Sequence, residues 1–214
     1  MDSRRLLIAI DGPAGAGKST VAQALARRLG LSYLDTGAMY RAFALKVLES
    51  GVDPSDEKGV EGLLGSTRID AGTDTVLVDG RDVSGLVRGG DVSAVSSVVA
   101  AIPAVRRRLV ELQKEVIARD PAGAVVEGRD IGTVVMPLAD LKIFITAADS
   151  ERARRRALQT GLDPRQELDA IRARDRRDSE RGASPLKAAD DAVIIDTTGL
   201  TAGEVVEKIL AMLP

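Results

Sequence analysis

The sequence predicts an α/β fold, in which a mainly parallel sheet is covered on both faces by helices. Short apolar runs typical of buried strands alternate along the chain with longer helical patterns, as in βαβ units. The first run, Leu6–Ile10, leads into the glycine-rich segment Gly12–Ser19, and a helical pattern follows directly. Ligands of such folds bind beyond the carboxyl ends of the strands, so this segment marks the expected site.

The segment Gly12–Ser19 matches the phosphate-binding P-loop pattern G-x-x-x-x-G-K-[ST]. Glycines let backbone N–H groups approach phosphate oxygens, and the following helix adds its positive N-terminus. Lys18 can reach the β- and γ-phosphates, and the Ser19 hydroxyl can ligate Mg²⁺. The motif therefore predicts a nucleoside triphosphate with Mg²⁺, without identifying what receives the phosphate. The expected ATP-binding residues are Gly12, Pro13, Ala14, Gly15, Ala16, Gly17, Lys18, Ser19 and Thr20.

The elements after the P-loop helix continue the α/β pattern. Residues 31–34 predict a second strand, and Thr36 is expected to cap a helix that runs to about Glu49. Residues 66–88 contain three short strand patterns, with the turn signal Asp79-Gly80 between two of them. This stretch predicts a small antiparallel insertion, because it is too short to bury a core of its own.

The second half of the chain returns to alternating helices and strands. Helices are expected at 91–101 and from Pro103 onward, and strands at 124–126, 141–145 and 193–195. Asp149 or Ser150 is expected to cap an arginine-rich helix, and a second charged helix covers about 165–181. Thr201 is expected to cap the last helix.

Composition restricts the chemistry. The 214 residues carry 30 Lys+Arg and 32 Asp+Glu, a net charge of −2, and only 2% aromatic residues, so a nucleic-acid partner is not expected. No apolar run reaches membrane-spanning length, and the absence of cysteine favours a cytoplasmic protein. The chain has no histidine, which excludes a histidine base or metal ligand. Phosphoryl transfer is still possible without histidine, because its catalysis relies on positioning and charge stabilisation.

Further polar residues follow the predicted strands. Arg41 lies shortly after Asp35-Thr36, and its guanidinium could fork onto a phosphate or be an ordinary surface side chain. Glu127 ends a buried strand beside the P-loop, where a carboxylate could hold Mg²⁺ directly or through water. The alternative for Glu127 and Asp130 is a cap or turn role.

Two helices concentrate arginines. Arg152, Arg155 and Arg156 fall on neighbouring helical positions, and Arg174, Asp178 and Arg181 share one face of the next helix. Such a face is often a solvated ladder of ion pairs. Beside a P-loop, we favour a mobile arginine clamp that encloses phosphates and excludes water.

From end to end, the chain resembles the bacterial cytidylate (CMP) kinases, a family of P-loop nucleoside monophosphate kinases. The stretches that carry the resemblance are Ile10–Ser19, Leu34–Arg41, Asp82–Ser84, Glu127–Val135, and Arg174-Asp175 through Asp178 to Arg181. The first is shared with many P-loop kinases, whereas the others together are specific to this family. Thr36 stands where relatives often have Ser, and Glu127 where some have Asp.

The resemblance implies a three-layer P-loop kinase fold with a five-stranded parallel sheet, a small antiparallel β insertion and a helical lid. It implies a core of residues 1–35, 121–149 and 182–214, a monophosphate-binding region at 36–120 that includes the insertion at 66–88, and a lid at 150–181. The implied reaction uses ATP and Mg²⁺ to phosphorylate CMP or dCMP. We expect a monomer without nucleic-acid or membrane partners.

The resemblance also implies roles for individual residues. The acceptor phosphate would be held by Arg41, Arg129 and Arg181. The cytosine would be read by Ser97, Arg106 and Asp130, and the rest of the acceptor surrounded by Thr36, Arg174 and Asp178. The expected catalytic residues are Lys18, Arg129, Arg155 and Arg181, with Arg152 joining the ATP site. Mg²⁺ would be held by Ser19 and, directly or through water, by Glu127.

Three other classes of protein fit the motif less well. Another P-loop kinase could phosphorylate a shikimate-like or sugar hydroxyl, with Asp35 or Asp130 as base. A nucleotide-dependent switch would be expected to carry a water-positioning Gln or an N-K-x-D motif, and the sequence shows neither. A non-catalytic scaffold is least expected, because Lys18 and the arginines are present.

Overall fold

The computed structural model describes residues 5–182 and 184–213. The strands of this part of the chain are β1 (Leu6–Asp11), β2 (Ser32–Asp35), β3 (Ile69–Ala71), β4 (Val76–Val78), β5 (Arg81–Asp82), β6 (Gly123–Gly128), β7 (Leu141–Thr146) and β8 (Val193–Asp196). The α-helices are α1 (Lys18–Leu29), α2 (Thr36–Glu49), α3 (Glu57–Leu64), α4 (Gly90–Val99), α5 (Pro103–Ala118), α6 (Asp149–Thr160), α7 (Pro164–Glu180) and α8 (Ala202–Leu210), and a π-helix spans Ile131–Val135.

The main sheet has five strands in the order β2-β6-β1-β7-β8. Strand β1 pairs in parallel with β6, with Asp11 opposite Gly128, and in parallel with β7, with Asp11 opposite Phe144. Strand β8 pairs in parallel with β7. The carboxyl ends of these strands therefore lie at one edge of the sheet. This arrangement confirms the predicted α/β fold with a five-stranded parallel sheet.

The chain divides into two compact units, Met1–Leu31 with Ala122–Pro214, and Ser32–Pro121. The core of the first unit is formed by strands β1, β6 and β7 and by the apolar faces of α1 and α8. Helix α1 contributes Val21 and Leu25, and α8 contributes Val205 and Ile209, all of them buried. The spacing of four between members of each pair places them on one face of the helix, as the sequence predicts.

The second unit is built around α2. Its side chains Met39, Phe43 and Val47 are fully buried, and the helix packs against α4 and against the small sheet. That sheet has the order β3-β4-β5 and is antiparallel, which confirms the predicted insertion. Asp79 and Gly80 form the turn between β4 and β5 with φ values of 52° and 83°, which suit the Asp-Gly pair.

The helix starts differ in part from expectation. The N-cap of α2 is Asp35 rather than Thr36, because the Asp35 carboxylate accepts the Ala38 N–H. The cap position of α6 is Ala148, so the prediction of Asp149 or Ser150 as the cap is wrong. Thr201 caps α8 as predicted, in a reciprocal capping box with Glu204.

The proposed division into core, monophosphate-binding region and lid stays a prediction. The boundaries between the two compact units fall at residues 31/32 and 121/122 of the sequence. Among the described residues, no helix combines the length and apolar character needed to cross a membrane.

Candidate active site

The P-loop connects the end of β1 to the start of α1. Gly12 has φ 146°, and a Cβ there would collide with the Ile145 carbonyl, so the strand can leave the sheet here only through glycine. Gly17 occupies the N-cap of α1 in the left-handed conformation, with φ 95°. The loop therefore delivers the N-terminal N–H groups of α1 to the carboxyl edge of the sheet, which is a favourable place for an anion.

Lys18 lies across this loop. It is only 6% exposed, and its Nζ donates to the Pro13 carbonyl at 2.8 Å. Ser19 and Thr20 follow it in the first turn of α1 and are exposed. The predicted P-loop residues thus come together, with the ammonium held inside the loop and the Ser19 hydroxyl open to a ligand.

Arg155 and Thr197 support the loop at Ala16. Arg155 Nη1 donates to the Ala16 carbonyl at 3.2 Å and to Thr197 Oγ1 at 3.0 Å, while Nη2 donates to the Thr197 carbonyl at 2.8 Å. Thr197 Oγ1 lies 3.1 Å from the Ala16 carbonyl oxygen. Thr197 is 2% exposed and was missed by the sequence analysis. Its position directly after the last parallel strand was the available signal.

Arg152 and Asp175 support the loop at Ala14. Arg152 Nη1 donates to the Ala14 carbonyl at 2.9 Å and to Asp175 Oδ2 at 2.6 Å, and Nη2 donates to Asp149 Oδ1 at 2.6 Å. The Ala14 N–H donates to Asp175 Oδ1 at 3.4 Å. The predicted ATP-site arginine therefore reaches the P-loop through a backbone carbonyl. Asp175 was quoted only as part of a motif and given no role.

Asp11 fixes the chain that follows β6. Its two carboxylate oxygens accept the N–H groups of Ile131 and Gly132 at 2.8 and 2.7 Å, at the start of the π-helix. Burial raises the pKa of Asp11 to about 6, although the N–H groups of Gly132 and Ile131 lower it. Asp130 occupies the N-cap position of the π-helix without a side-chain capping hydrogen bond, and the Asp11 carboxylate accepts the first N–H groups instead. Short π-helices are often found at functional sites.

Arg129, Asp178 and Arg181 form a partly buried cluster. Arg129 Nε donates to Asp178 Oδ2 at 2.9 Å, and Arg181 Nη1 lies 3.7 Å from Asp178 Oδ1. Burial lowers the pKa of the Arg129 guanidinium, but the carboxylates of Asp178, Asp175 and Glu127 together more than compensate, and the pKa lies above its ordinary value. The structure therefore brings together three predicted residues, while Arg174 is half-buried on the same helix.

Glu127 is the candidate metal carboxylate. It lies in β6 opposite Ile10 of β1 and is 3% exposed. Among the described residues, no group of three or more Asp, Glu, His or Cys side chains is placed to hold a metal ion. Magnesium typically takes one or two protein oxygens and completes its shell with phosphate oxygens and water. Ser19 and Glu127 are oxygen ligands that fit such a shared site.

The second unit contains Arg41 in an ion pair. Arg41 Nη2 donates to Asp35 Oδ2 at 2.7 Å, while the other oxygen of Asp35 caps α2. A Cβ at Gly37 would lie 2.9 Å from Arg41 Nη1 and 3.0 Å from Asp35 Oδ1, so glycine leaves room for this pair. Thr36, between them in sequence, is buried.

Arg106 and Ser97 lie on α5 and α4 of the same unit. Arg106 is 4% exposed, and its guanidinium carbon lies 5.5 Å from the centre of the Tyr40 ring. Its Nη1 donates to the Ala100 carbonyl at 3.2 Å. Ser97 is half-buried, and its hydroxyl lies 3.4 Å from the Ser93 carbonyl oxygen. The second unit thus holds four predicted acceptor-binding residues: Thr36, Arg41, Ser97 and Arg106.

Comparison with known proteins gives consistent matches over the whole chain. A family model described as cytidylate kinase matches residues 8–214. The cytidylate kinase of Pelotomaculum thermopropionicum is 49% identical over 95% of this chain and 94% of that protein. The cytidylate kinase of Mycobacterium avium is 48% identical over 97% and 94%. A gluconokinase structure from Sinorhizobium meliloti, at 16% identity and a TM-score of 0.51 over 97% of this chain and 91% of that chain, shares the fold alone.

Proposed function

The chain belongs to the cytidylate kinase family, and we propose that it transfers the γ-phosphoryl group of ATP to CMP or dCMP. The products are ADP and CDP or dCDP. The observation that carries the proposal is the presence, in one compact unit, of a complete P-loop and a half-buried arginine pair around Asp178. The P-loop suits a triphosphate, and the arginine pair provides positive charge for further phosphate groups.

In the proposed reaction, a phosphate oxygen of CMP attacks the γ-phosphorus of ATP. A new oxygen–phosphorus bond forms, the bond from the γ-phosphorus to the oxygen bridging it to the β-phosphorus breaks, and ADP leaves. The attacking oxygen is already anionic at neutral pH, so no base has to remove a proton. This chemistry is compatible with a chain that has no histidine. It leaves positioning and charge neutralisation as the tasks of the protein.

Lys18, Arg129, Arg155 and Arg181 are the proposed charge-neutralising residues. Lys18 would exchange the Pro13 carbonyl for β- and γ-phosphate oxygens, which requires only a rotation of its flexible side chain. Arg129 and Arg181 are held by one carboxylate, so their guanidinium groups are preorganised before a phosphate arrives. Arg155 lies against the loop at Ala16.

Acceptor binding is proposed for the residues that match the family motifs. Arg41 would exchange one oxygen of Asp35 for a phosphate oxygen, and Asp35 would remain the cap of α2. Ser97, Arg106 and Asp130 would read the cytosine edge. Thr36, Arg174 and Asp178 would surround the rest of the acceptor. These roles rest on the match between the family motifs and the chain.

Magnesium is the proposed metal. The Ser19 hydroxyl and, directly or through water, the Glu127 carboxylate would hold it, and it would neutralise charge on the β- and γ-phosphates. We further propose a cytoplasmic monomer without nucleic-acid or membrane partners. The lack of cysteine supports the compartment, and the net charge of −2 supports the absence of a nucleic-acid partner. Size-exclusion chromatography with light scattering tests the oligomeric state.

A coupled ADP-release assay tests the function. ATP and Mg²⁺ are supplied with CMP, dCMP, UMP, AMP, GMP, shikimate or gluconate in turn. CMP and dCMP should give the fastest release. Release with shikimate or gluconate, and not with CMP, would indicate a kinase that acts on hydroxyl groups. Release that is independent of any acceptor would indicate a nucleotide-hydrolysing switch.

A further inference from the structure

Both backbone polar groups of Ala14, in the P-loop, form hydrogen bonds with side chains of two helices. Its N–H donates to Asp175 of α7 at 3.4 Å, and its carbonyl accepts from Arg152 of α6 at 2.9 Å. The same Arg152 nitrogen donates to Asp175 at 2.6 Å. These three interactions form a closed ring that joins the P-loop, α6 and α7.

The ring lies in a setting where its bonds are strong. Ala14 is 6% exposed and Arg152 is 5% exposed, while the Asp175 side chain keeps 21% of its surface. Charge-assisted hydrogen bonds are stronger than neutral ones, and an environment with little water screens them weakly. If the Asp175 carboxylate were removed, Asp149 would be the remaining carboxylate partner of the buried Arg152 guanidinium among the ion pairs described.

Asp175 also lies close to the arginine cluster along α7. Asp178 follows it by three residues, about 4.5 Å of helix rise, and accepts from Arg129 at 2.9 Å. Arg174 is the residue directly before it. A continuous helix moves as one body over such a distance, so a shift of Ala14 that displaced Asp175 would also displace the residues proposed to bind the acceptor.

We propose that Asp175 is a positioning residue that couples the triphosphate-loaded state of the P-loop to the arrangement of the acceptor-binding side chains of α7. The inference rests on the proposed function, which assigns Arg174, Asp178 and Arg181 to the acceptor. Binding of a triphosphate fixes the loop, and through Ala14 and Asp175 it fixes α7. Coupling is reciprocal, so the acceptor tightens triphosphate binding by the same factor.

The test compares wild type with Asp175→Asn and with a matched control, Asp169→Asn. Asparagine keeps the shape and one acceptor oxygen, but it cannot accept from Ala14 and Arg152 with two oxygens. Asp169 is an exposed carboxylate on the same helix, for which the structure shows no ion pair within its described part. Calorimetry gives the Kd of the non-hydrolysable β,γ-imido analogue of ATP, with Mg²⁺, in the absence and presence of CMP.

In wild type and Asp169→Asn, CMP should lower the Kd of the analogue by about fivefold or more, as for a typical coupling. In Asp175→Asn, this factor should fall close to one, whatever the change in the Kd without CMP. An unchanged coupling factor in Asp175→Asn would overturn the proposal. So would an equal loss of binding with and without CMP, which would assign Asp175 only a supporting role for the loop.

Hydrogen exchange in wild type provides a readout that needs no variant and no acceptor. The analogue alone should increase the protection of backbone amides in α7, at residues 164–180. Equal exchange in the two states would overturn the coupling. Failure of the proposed function is a separate outcome, because it would appear as the absence of CMP turnover while the protection of α7 by the analogue is still measurable.

Discussion

Asp11 should make the stability of the protein fall as the pH rises from about 4 to about 6. The carboxyl group is 3% exposed, and burial raises its pKa from 3.8 to about 6. Below pH 3.8, it is protonated in both the folded and the unfolded chain. Between the two values only the folded chain keeps the proton, so stability present at low pH is lost as the pH rises. The loss amounts to about 3 kcal/mol at 1.36 kcal/mol per pH unit.

The perturbation is Asp11→Asn, and the assay is urea unfolding of the nucleotide-free protein between pH 3 and pH 7. An amide does not titrate, so the ionisable groups that do not interact with Asp11 cancel when the two free energies of unfolding are subtracted. The stability of wild type relative to Asp11→Asn should fall by about 3 kcal/mol over this range. The hydrogen bond to Ile131 or Gly132 that the variant loses shifts the difference in free energy of unfolding by a constant amount, and it does not change how that difference varies with pH.

Asp53→Asn is a control of opposite sign. Hydrogen bonds from Ser55 lower the pKa of the exposed Asp53 carboxyl below 3.8. Its contribution is therefore present above that value and is lost as the pH falls. A difference between wild type and Asp11→Asn that is flat, or that rises with pH, would refute the reasoning. It would mean that the N–H groups of Ile131 and Gly132 outweigh burial.

Three further predictions concern activity and the support of the P-loop. Lys18→Ala should retain the fold, as measured by circular dichroism, and its kcat should fall on the order of a hundredfold or more, because losing such a charge-stabilising group raises the barrier by about 3–4 kcal/mol. Near-normal turnover would contradict the P-loop mechanism. Thr197→Val should lower the free energy of unfolding by about 1–3 kcal/mol and raise the KM for ATP, because it removes the hydroxyl that accepts from Arg155 and contacts the Ala16 carbonyl; Thr197→Ser is the matched control and should retain both. Asp130→Asn should narrow the ratio of kcat/KM between CMP and UMP, because the amide can donate to the uracil carbonyl where the carboxylate accepts from the cytosine amine; an unchanged ratio would exclude Asp130 as a reader of the base.

The sequence predicted the features that depend on local patterns. The P-loop was predicted from glycines at fixed spacing between an apolar strand and a helix. The Asp79-Gly80 turn was predicted from two residue types that tolerate positive φ, which both residues adopt. The capping box of α8 also needs only Thr201 and Glu204, three residues apart. These signals lie within a few residues of one another, so no tertiary information is required.

The features that the sequence left undetermined depend on partners far along the chain. Asp11 and Ile131 are 120 residues apart, and Arg152 and Ala14 are 138 residues apart. For Arg152, helical spacing showed a charged face, but not that the side chain is buried against a backbone carbonyl. The choice of Asp35 over Thr36 as cap was a competition between two suitable neighbours, which the end of β2 decides.

The stacking of Arg106 on Tyr40 has a spectroscopic consequence. The chain contains no tryptophan and two tyrosines, so its intrinsic fluorescence comes from Tyr33 and Tyr40 alone. Both rings are shielded from solvent, and the guanidinium of Arg106 lies 5.5 Å from the centre of the Tyr40 ring. Any ligand that draws the guanidinium away changes the electrostatic surroundings of a natural fluorophore. Tyrosine fluorescence of the unmodified protein should therefore report on the position of Arg106. The variant Tyr40→Phe is the control, because it retains only the emission of Tyr33.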